Sequence, residues 1–192
     1  MLYRNIIHIV TAIVLCFSFS VSAAEKLQLV IETADGKPRG TVTIGLLSEQ
    51  APNHVARIKR LTNEGLYNGV VFHRVIHGFM AQTGDVQYGN VRALDKKRVG
   101  TGSSSYNDLK AELSETPFTP GVVGMARSRY IHSANSQFFI MTETHSGLNG
   151  AYTVIGLVLE GLDIVRQIQP GPQSHNGQVG RPDVIKKAVI IK

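Results

Sequence analysis

The chain has 192 residues with one cysteine, 20 Lys and Arg against 14 Asp and Glu, and a formal net charge of +6. That length supports one domain with a real core, which excludes the disulfide-stapled miniproteins. A sequence pI near 9.6 invites a nucleic-acid reading, but the tightest basic cluster, Asp95-Lys96-Lys97-Arg98, is short and lies among Gly, Ser and Asn. It reads as a solvated loop face, and no nucleic-acid partner is expected.

The first element is a targeting signal. Arg4 precedes an apolar run from Ile6 to about Val21, which closes on Val21-Ser22-Ala23-Ala24. That is the three-part form of a secretory signal, with cleavage after Ala23 or Ala24. An uncleaved anchor is the rival, because Ile6 to Ala24 is nearly long enough to span a bilayer. The small residues at its end, with His8 and several serines interrupting the run, favour the signal. Cys16 lies inside this segment behind Ile13-Val14-Leu15, without the small residue that precedes a lipidated cysteine. Residues 1–23 are thus expected to be removed. Residues 24–192 then form a single exported domain, without cysteine, free of the membrane and monomeric.

Leu27 to Thr33 alternates loosely, Asp35-Gly36 supplies a turn, and Gly40 to Leu46 resumes extended structure, so the domain opens on a hairpin. Pro52 fits a first helical position, Val55, Ile58 and Leu61 recur at helical spacing, and Gly65 fits the exit. Gly69 to Ile76 reads as a strand by its β-branched content, and Phe79 to Gln82 as a shorter one after the His77-Gly78 bend. Residues 84–108 are rich in Gly, Ser, Asn and charge and read as a long surface loop. Strand signals return at 121–126, 137–141 and 152–158. Leu162, Val165 and Ile168 then mark a second helix, and Val184 to Ile191 closes the chain as a strand. Many strands with one early and one late helix predict a mainly β fold whose antiparallel sheet closes or sandwiches.

The seven histidines are scattered, with no His-x-His or His-Glu-x-x-His spacing, so no metal site is expected. His73 reads as a hydrogen-bonded structural residue rather than a base. Ser136 lacks the flanking glycines of a nucleophile elbow, and Gly100-Thr101-Gly102 follows no strand leading into a helix. What remains is a constellation without a nucleophile. Arg74 offers five fixed donors, Gln82 and Gln137 offer amides, and Phe79, Met80, Phe139 and Leu148 offer apolar area.

The runs FHRVIHGFMAQTGD from Phe72, GVVGMARSRYIHSANSQFFI from Gly121 and LNGAYTVIGLVLEGLDIV from Leu148 resemble, in order and spacing, the core motifs of the cyclophilins, the peptidyl-prolyl cis-trans isomerases. The variant spelling and the signal segment resemble the exported bacterial branch. The resemblance implies a closed eight-stranded antiparallel β-barrel capped by two α-helices. It implies Arg74 as the catalytic residue and a proline pocket at Phe79, Met80, Phe139 and Leu148. It also implies peptide contacts around Gln82, Ala126, Arg127, Gln137 and Tyr152, partly through backbone groups. No cofactor is implied. The expected partners are proline-containing peptides and unfolded exported proteins in the periplasm. A binding module that holds proline segments with little catalysis is the alternative.

Four departures stand out against the family pattern. Gly147 occupies the position where many members carry tryptophan, which argues against tight cyclosporin binding. Tyr152 stands where many have histidine, and Arg127 replaces a common asparagine. The loop from Val86 to Leu109 is also longer than in compact members.

Overall fold

The computed structural model describes residues 25–192; the segment expected to be a signal, with Cys16, lies outside them. One eight-stranded sheet is built from β1 (Lys26–Glu32), β2 (Pro38–Leu46), β3 (Arg74–Ile76), β4 (Met80–Thr83), β5 (Val122–Met125), β6 (Phe138–Met141), β7 (Val154–Glu160) and β8 (Val184–Ile191). Two α-helices accompany it, α1 (Pro52–Asn63) and α2 (Leu162–Arg166). The strand order is β3-β4-β6-β5-β7-β2-β1-β8, and every pairing is antiparallel. Among the described residues no helix is long and apolar enough to cross a membrane.

Alternation explains the curl of the sheet around its core. Along β1, Leu27, Leu29 and Ile31 are buried while the intervening residues are half-exposed. Val42 and Ile44 of β2, Phe138 and Ile140 of β6 and Ile185 of β8 join them. Helix α1 adds Val55, Ile58 and Leu61 at the predicted spacing and packs against β8. Its N-cap, Ala51, has no side-chain oxygen, so the first-turn amides find their acceptor elsewhere. Glu112 supplies it from the long connection before β5, accepting from the Asn53 amide and the His54 amide at 3.1 Å each.

Two expectations need correction. The resemblance implied a closed barrel, yet the sheet is an open, curled half-barrel with β3 and β8 as its edges. The three-residue β3 is too short to meet β8, and its free edge is taken by a loop, with the Val75 amide donating to the Gly177 carbonyl at 2.8 Å. On the side away from β1, β8 reaches only the residues ahead of β3, through a single bridge from Val71 to Val184 and an amide bond from Gly69 to the Ile185 carbonyl at 2.7 Å. The second correction follows from the first. Gly69 to Ile76 is not one strand: pairing lapses at Phe72 and His73, and the alternation shifts phase there. Phe72 and Val75 both enter the core, which turns Arg74 and Ile76 to the opposite face.

Candidate active site

Register assembles the site. Antiparallel partners run from Arg74 to Gln82, from Gln82 to Phe139 and from Phe139 to Gly124, so four adjacent strands carry them in one row. Ile76, Met80 and Met141 form the next row on the same face. Val75, Ala81 and Ile140 take the core side, leaving this outer face to a second, smaller apolar cluster.

That cluster has a buried floor of Met80, Phe118, Phe139 and Met141, and a half-buried rim that includes Phe79, Ala126, Leu148 and Tyr152. Phe118 stacks on Phe139 with centroids 5.7 Å apart, and Tyr152 meets Phe139 edge-on at 5.6 Å. The stack lies directly over Gly124. A Cβ there would fall 2.5 Å from Phe139 Cζ and 2.7 Å from Phe118 Cε1, so only glycine leaves room for both rings. A small saturated apolar ring fits such a floor by burial alone, since it offers nothing for a polar pocket to bind.

Beside this floor, Arg74 is fixed by a chain of hydrogen bonds. Its Nη1 donates to Gln82 Oε1 at 3.2 Å and approaches Met80 Sδ at 3.9 Å. Its Nε and Nη2 donate to the carbonyl and Oδ1 of Asn176 at 3.1 and 2.9 Å. Gln82 Nε2 in turn donates to Gln137 Oε1 at 3.0 Å, and Gln137 Nε2 to the carbonyls of Gly100 and Gly102 at 3.1 and 2.8 Å. The loop holding those carbonyls is anchored by buried Asp85, whose carboxylate accepts from the amides of Gln87, Tyr88, Gly100 and Gly102. Burial pulls the Arg74 pKa down, with Tyr152 opposing it, and the guanidinium stays charged at neutral pH. It keeps an N–H on Nη2 that no group of the described residues accepts.

Arg127 leaves the end of β5 and turns over Tyr152, its Cζ 4.5 Å from the ring centroid. Its Nε and Nη2 donate to the Ala151 carbonyl at 3.1 and 3.0 Å, and its Nη1 to the Ser128 carbonyl at 2.9 Å. The side chain thereby fastens the turn bearing Leu148 and Tyr152. It also lines a cavity of about 360 Å³ with Gln82, Gln137, Ala126, Ser133 and Asn135.

All ten residues expected at the site meet here, in the floor and rim, the hydrogen-bond chain or the cavity wall. Three neighbours went unread in the sequence. Phe118 sits between prolines in a stretch with no strand signal. His145 packs against Phe79 with ring centroids 4.9 Å apart and the planes tilted by 46°, and its ring is what a side chain at Gly147 would meet. Asn176 lies in a His-Asn-Gly turn, whose only signal was its turn chemistry. His73 is buried, as a structural residue would be, and its ring nitrogens have only weakly formed contacts, toward the Val71 backbone and the Gln137 side chain. Burial pushes its pKa down to about 4, with Asp85 opposing and Arg74 reinforcing the shift. Neutral in the fold and buried, it makes a poor proton carrier near pH 7.

The curled antiparallel sheet presents a fixed guanidinium beside an apolar floor, an arrangement able to hold an apolar group and donate a hydrogen bond to an atom next to it. The family model described as cyclophilin type peptidyl-prolyl cis-trans isomerase/CLD matches residues 28–190, and the chain belongs to that family of enzymes, which rotate Xaa-Pro peptide bonds. It is 57% identical over 152 residues to a probable peptidyl-prolyl cis-trans isomerase of Brucella suis, covering 79% of this chain and 78% of the relative. Among solved structures, the cyclophilin AquaCyp293 from Hirschia baltica matches with a TM-score of 0.68 and 27% identity, over 85% of this chain and 73% of that one. A Cryptosporidium parvum cyclophilin determined in the presence of the dipeptide Ala-Pro shares the fold at a TM-score of 0.70 and 24% identity, over 87% and 99% of the two chains.

Proposed function

We propose that Arg74 is the catalytic residue of this prolyl isomerase and that Phe79, Met80, Phe139, Leu148 and Tyr152 grip the proline ring. The observation that carries this reading is the guanidinium pinned between Gln82 and Asn176 at the edge of the apolar floor. An Xaa-Pro bond resists rotation because resonance makes its C–N bond partly double, with a barrier of roughly 18–20 kcal/mol. Twisting the bond breaks that resonance and leaves the proline nitrogen a lone pair able to accept a hydrogen bond. A donor that reaches this nitrogen best in the twisted form stabilises the transition state over both ground states. A ten-thousandfold acceleration needs only about 5 kcal/mol of such differential binding. No proton is transferred and no covalent bond is made.

Gln82, Gln137, Ala126 and Arg127 border the peptide path in this reading, the two amides chiefly by holding Arg74 in place. The Ala-Pro dipeptide present with the Cryptosporidium parvum relative supports proline peptides as the ligand class. The test is the cis-to-trans rate of a short Xaa-Pro peptide with the residue 24–192 domain and its Arg74→Ala form, both verified as folded. Loss of most of the acceleration with peptide binding retained supports the mechanism. An Arg74→Ala form as fast as the parent overturns it. Peptide binding by both without acceleration by either supports the holdase alternative.

We further propose that the protein acts outside the cytoplasm, as a monomer in the periplasm of the exported bacterial branch, where it speeds proline-limited folding of exported chains. The motif of residues 1–24 supports export. Expressing the full chain with a C-terminal epitope tests this. A periplasmic product beginning at Ala24 or Glu25 supports it, and a full-length product retained in the membrane or cytoplasm overturns it.

A further inference from the structure

The cavity beside Arg127 has an unbalanced charge. Its lining carries one guanidinium and amide, hydroxyl and glycine groups, but no carboxylate. Among the described residues, Arg127 has no acidic partner within salt-bridge distance, and neither does Arg74. The acids at the margins are committed elsewhere: buried Asp85, behind the lining, accepts from the amides of Gln87, Tyr88, Gly100 and Gly102, Asp108 accepts from Asn135 Nδ2 at 2.9 Å, and Glu143, on the Phe79 side, pairs with Arg166 at 3.9 Å. Arg127 spends three N–H donors on the carbonyls of Ala151 and Ser128, which fixes the guanidinium in place and leaves two donors free.

The cavity and the apolar floor share one wall, since Ala126 packs with the floor while Ala126, Gln82 and Gln137 line the cavity. A peptide with its proline ring on the floor therefore places a neighbouring side chain in or over the cavity, because extended chain advances only about 3.3 Å per residue. A fixed, uncompensated cation at that point attracts a carboxylate and repels an ammonium.

We infer that Arg127 determines substrate choice, selecting Xaa-Pro segments with Asp or Glu within two residues of the proline and disfavouring Lys and Arg there. This rests on the prolyl isomerase reading. It assigns to the Arg127 side chain a role that a backbone contact at this position would not have.

The experiment compares kcat/KM for peptides that carry Glu, Gln or Lys one or two residues from proline, at low and high salt. It uses the residue 24–192 domain and its Arg127→Gln and Arg127→Lys forms. The Gln peptide reports isomerase activity itself, so its failure speaks to the mechanism, whereas the Glu-to-Lys ratio reports only the charge of the site. The expected ratio is roughly two- to fivefold for the parent at low ionic strength, the range of a part-exposed ion pair, and it collapses in high salt. In Arg127→Gln the ratio falls toward one, while Arg127→Lys, which keeps the charge, retains most of it. A parent ratio near one at both positions, or a ratio unchanged in Arg127→Gln, overturns the assignment.

Discussion

Arg74 Nη2 donates to Oδ1 of Asn176 at 2.9 Å, across 102 residues of sequence. Asn176 is also the one non-glycine residue with positive φ among those described, at 51°. Asparagine tolerates this left-handed conformation better than most residues, and the turn aims both its carbonyl and its side chain at the guanidinium.

Asn176→Gly separates the two roles. Glycine accepts the backbone geometry, so stability should change by less than about 1 kcal/mol, while the Oδ1 contact is lost. With one of its two anchors on Asn176 gone, Arg74 samples more orientations. The expected outcome is a fall of about tenfold in kcat with KM little changed, corresponding to about 1.4 kcal/mol. Steady-state kinetics beside a urea titration checks it, and an unaltered kcat would refute a positioning role for Asn176.

Asp85 anchors the loop whose Gly100 and Gly102 carbonyls hold Gln137. Asp85→Asn keeps the shape but leaves one acceptor oxygen for amides that two oxygens now serve. A cost of about 2–3 kcal/mol follows from the unsatisfied buried donors. The shift of the urea midpoint measures it, and the Gly100 and Gly102 amides should exchange faster with solvent. Wild-type exchange rates at those amides would show that the loop is held by other contacts.

Acid should weaken the fold well above the range where carboxylates titrate. His73 is buried with its pKa pushed down to about 4, whereas the unfolded chain titrates near the ordinary 6.5. A depressed folded pKa means that the unfolded chain binds the extra proton, so stability is complete above 6.5 and is lost as pH falls toward about 4. The difference corresponds to on the order of 3 kcal/mol. Buried His54 shifts the same way, by burial against the pull of Glu112. Urea titrations at pH 7 and pH 4.5 should differ by most of this, and a His73→Gln form should show a shallower dependence. An equally steep dependence in that form would remove His73 as its source.

Glu112 caps α1 from a distance, accepting from the Asn53 amide, the Asn53 side chain at 2.7 Å, the His54 amide and the His54 ring at 2.5 Å. Partial burial raises its pKa, but these hydrogen bonds outweigh it and hold the carboxyl below the usual range. Glu112→Ala should cost about 1–2 kcal/mol through the lost cap, with additional loss from the stranded His54 ring. Thermal denaturation followed by circular dichroism reads this directly, and a melting temperature equal to the parent's would refute the capping role.

Much of this protein was legible in the sequence because local rules decide it. Helix α1 follows from Pro52 and the spacing of Val55, Ile58 and Leu61, and β1 and β2 from alternation around Asp35-Gly36. The residues of the candidate site could be picked out from the sequence because their motifs are contiguous, and strand pairing sets Arg74, Gln82 and Phe139 side by side. Tertiary structure alone decided the rest. The open edge at β3, the shift in alternation at Phe72 and His73, and the anchoring of Arg74 by Asn176 all arise where distant segments compete for the same backbone and side-chain hydrogen bonds. Chain order says nothing about which segment wins such a competition, because the energy of each bond depends on a partner brought close only when the whole sheet has curled.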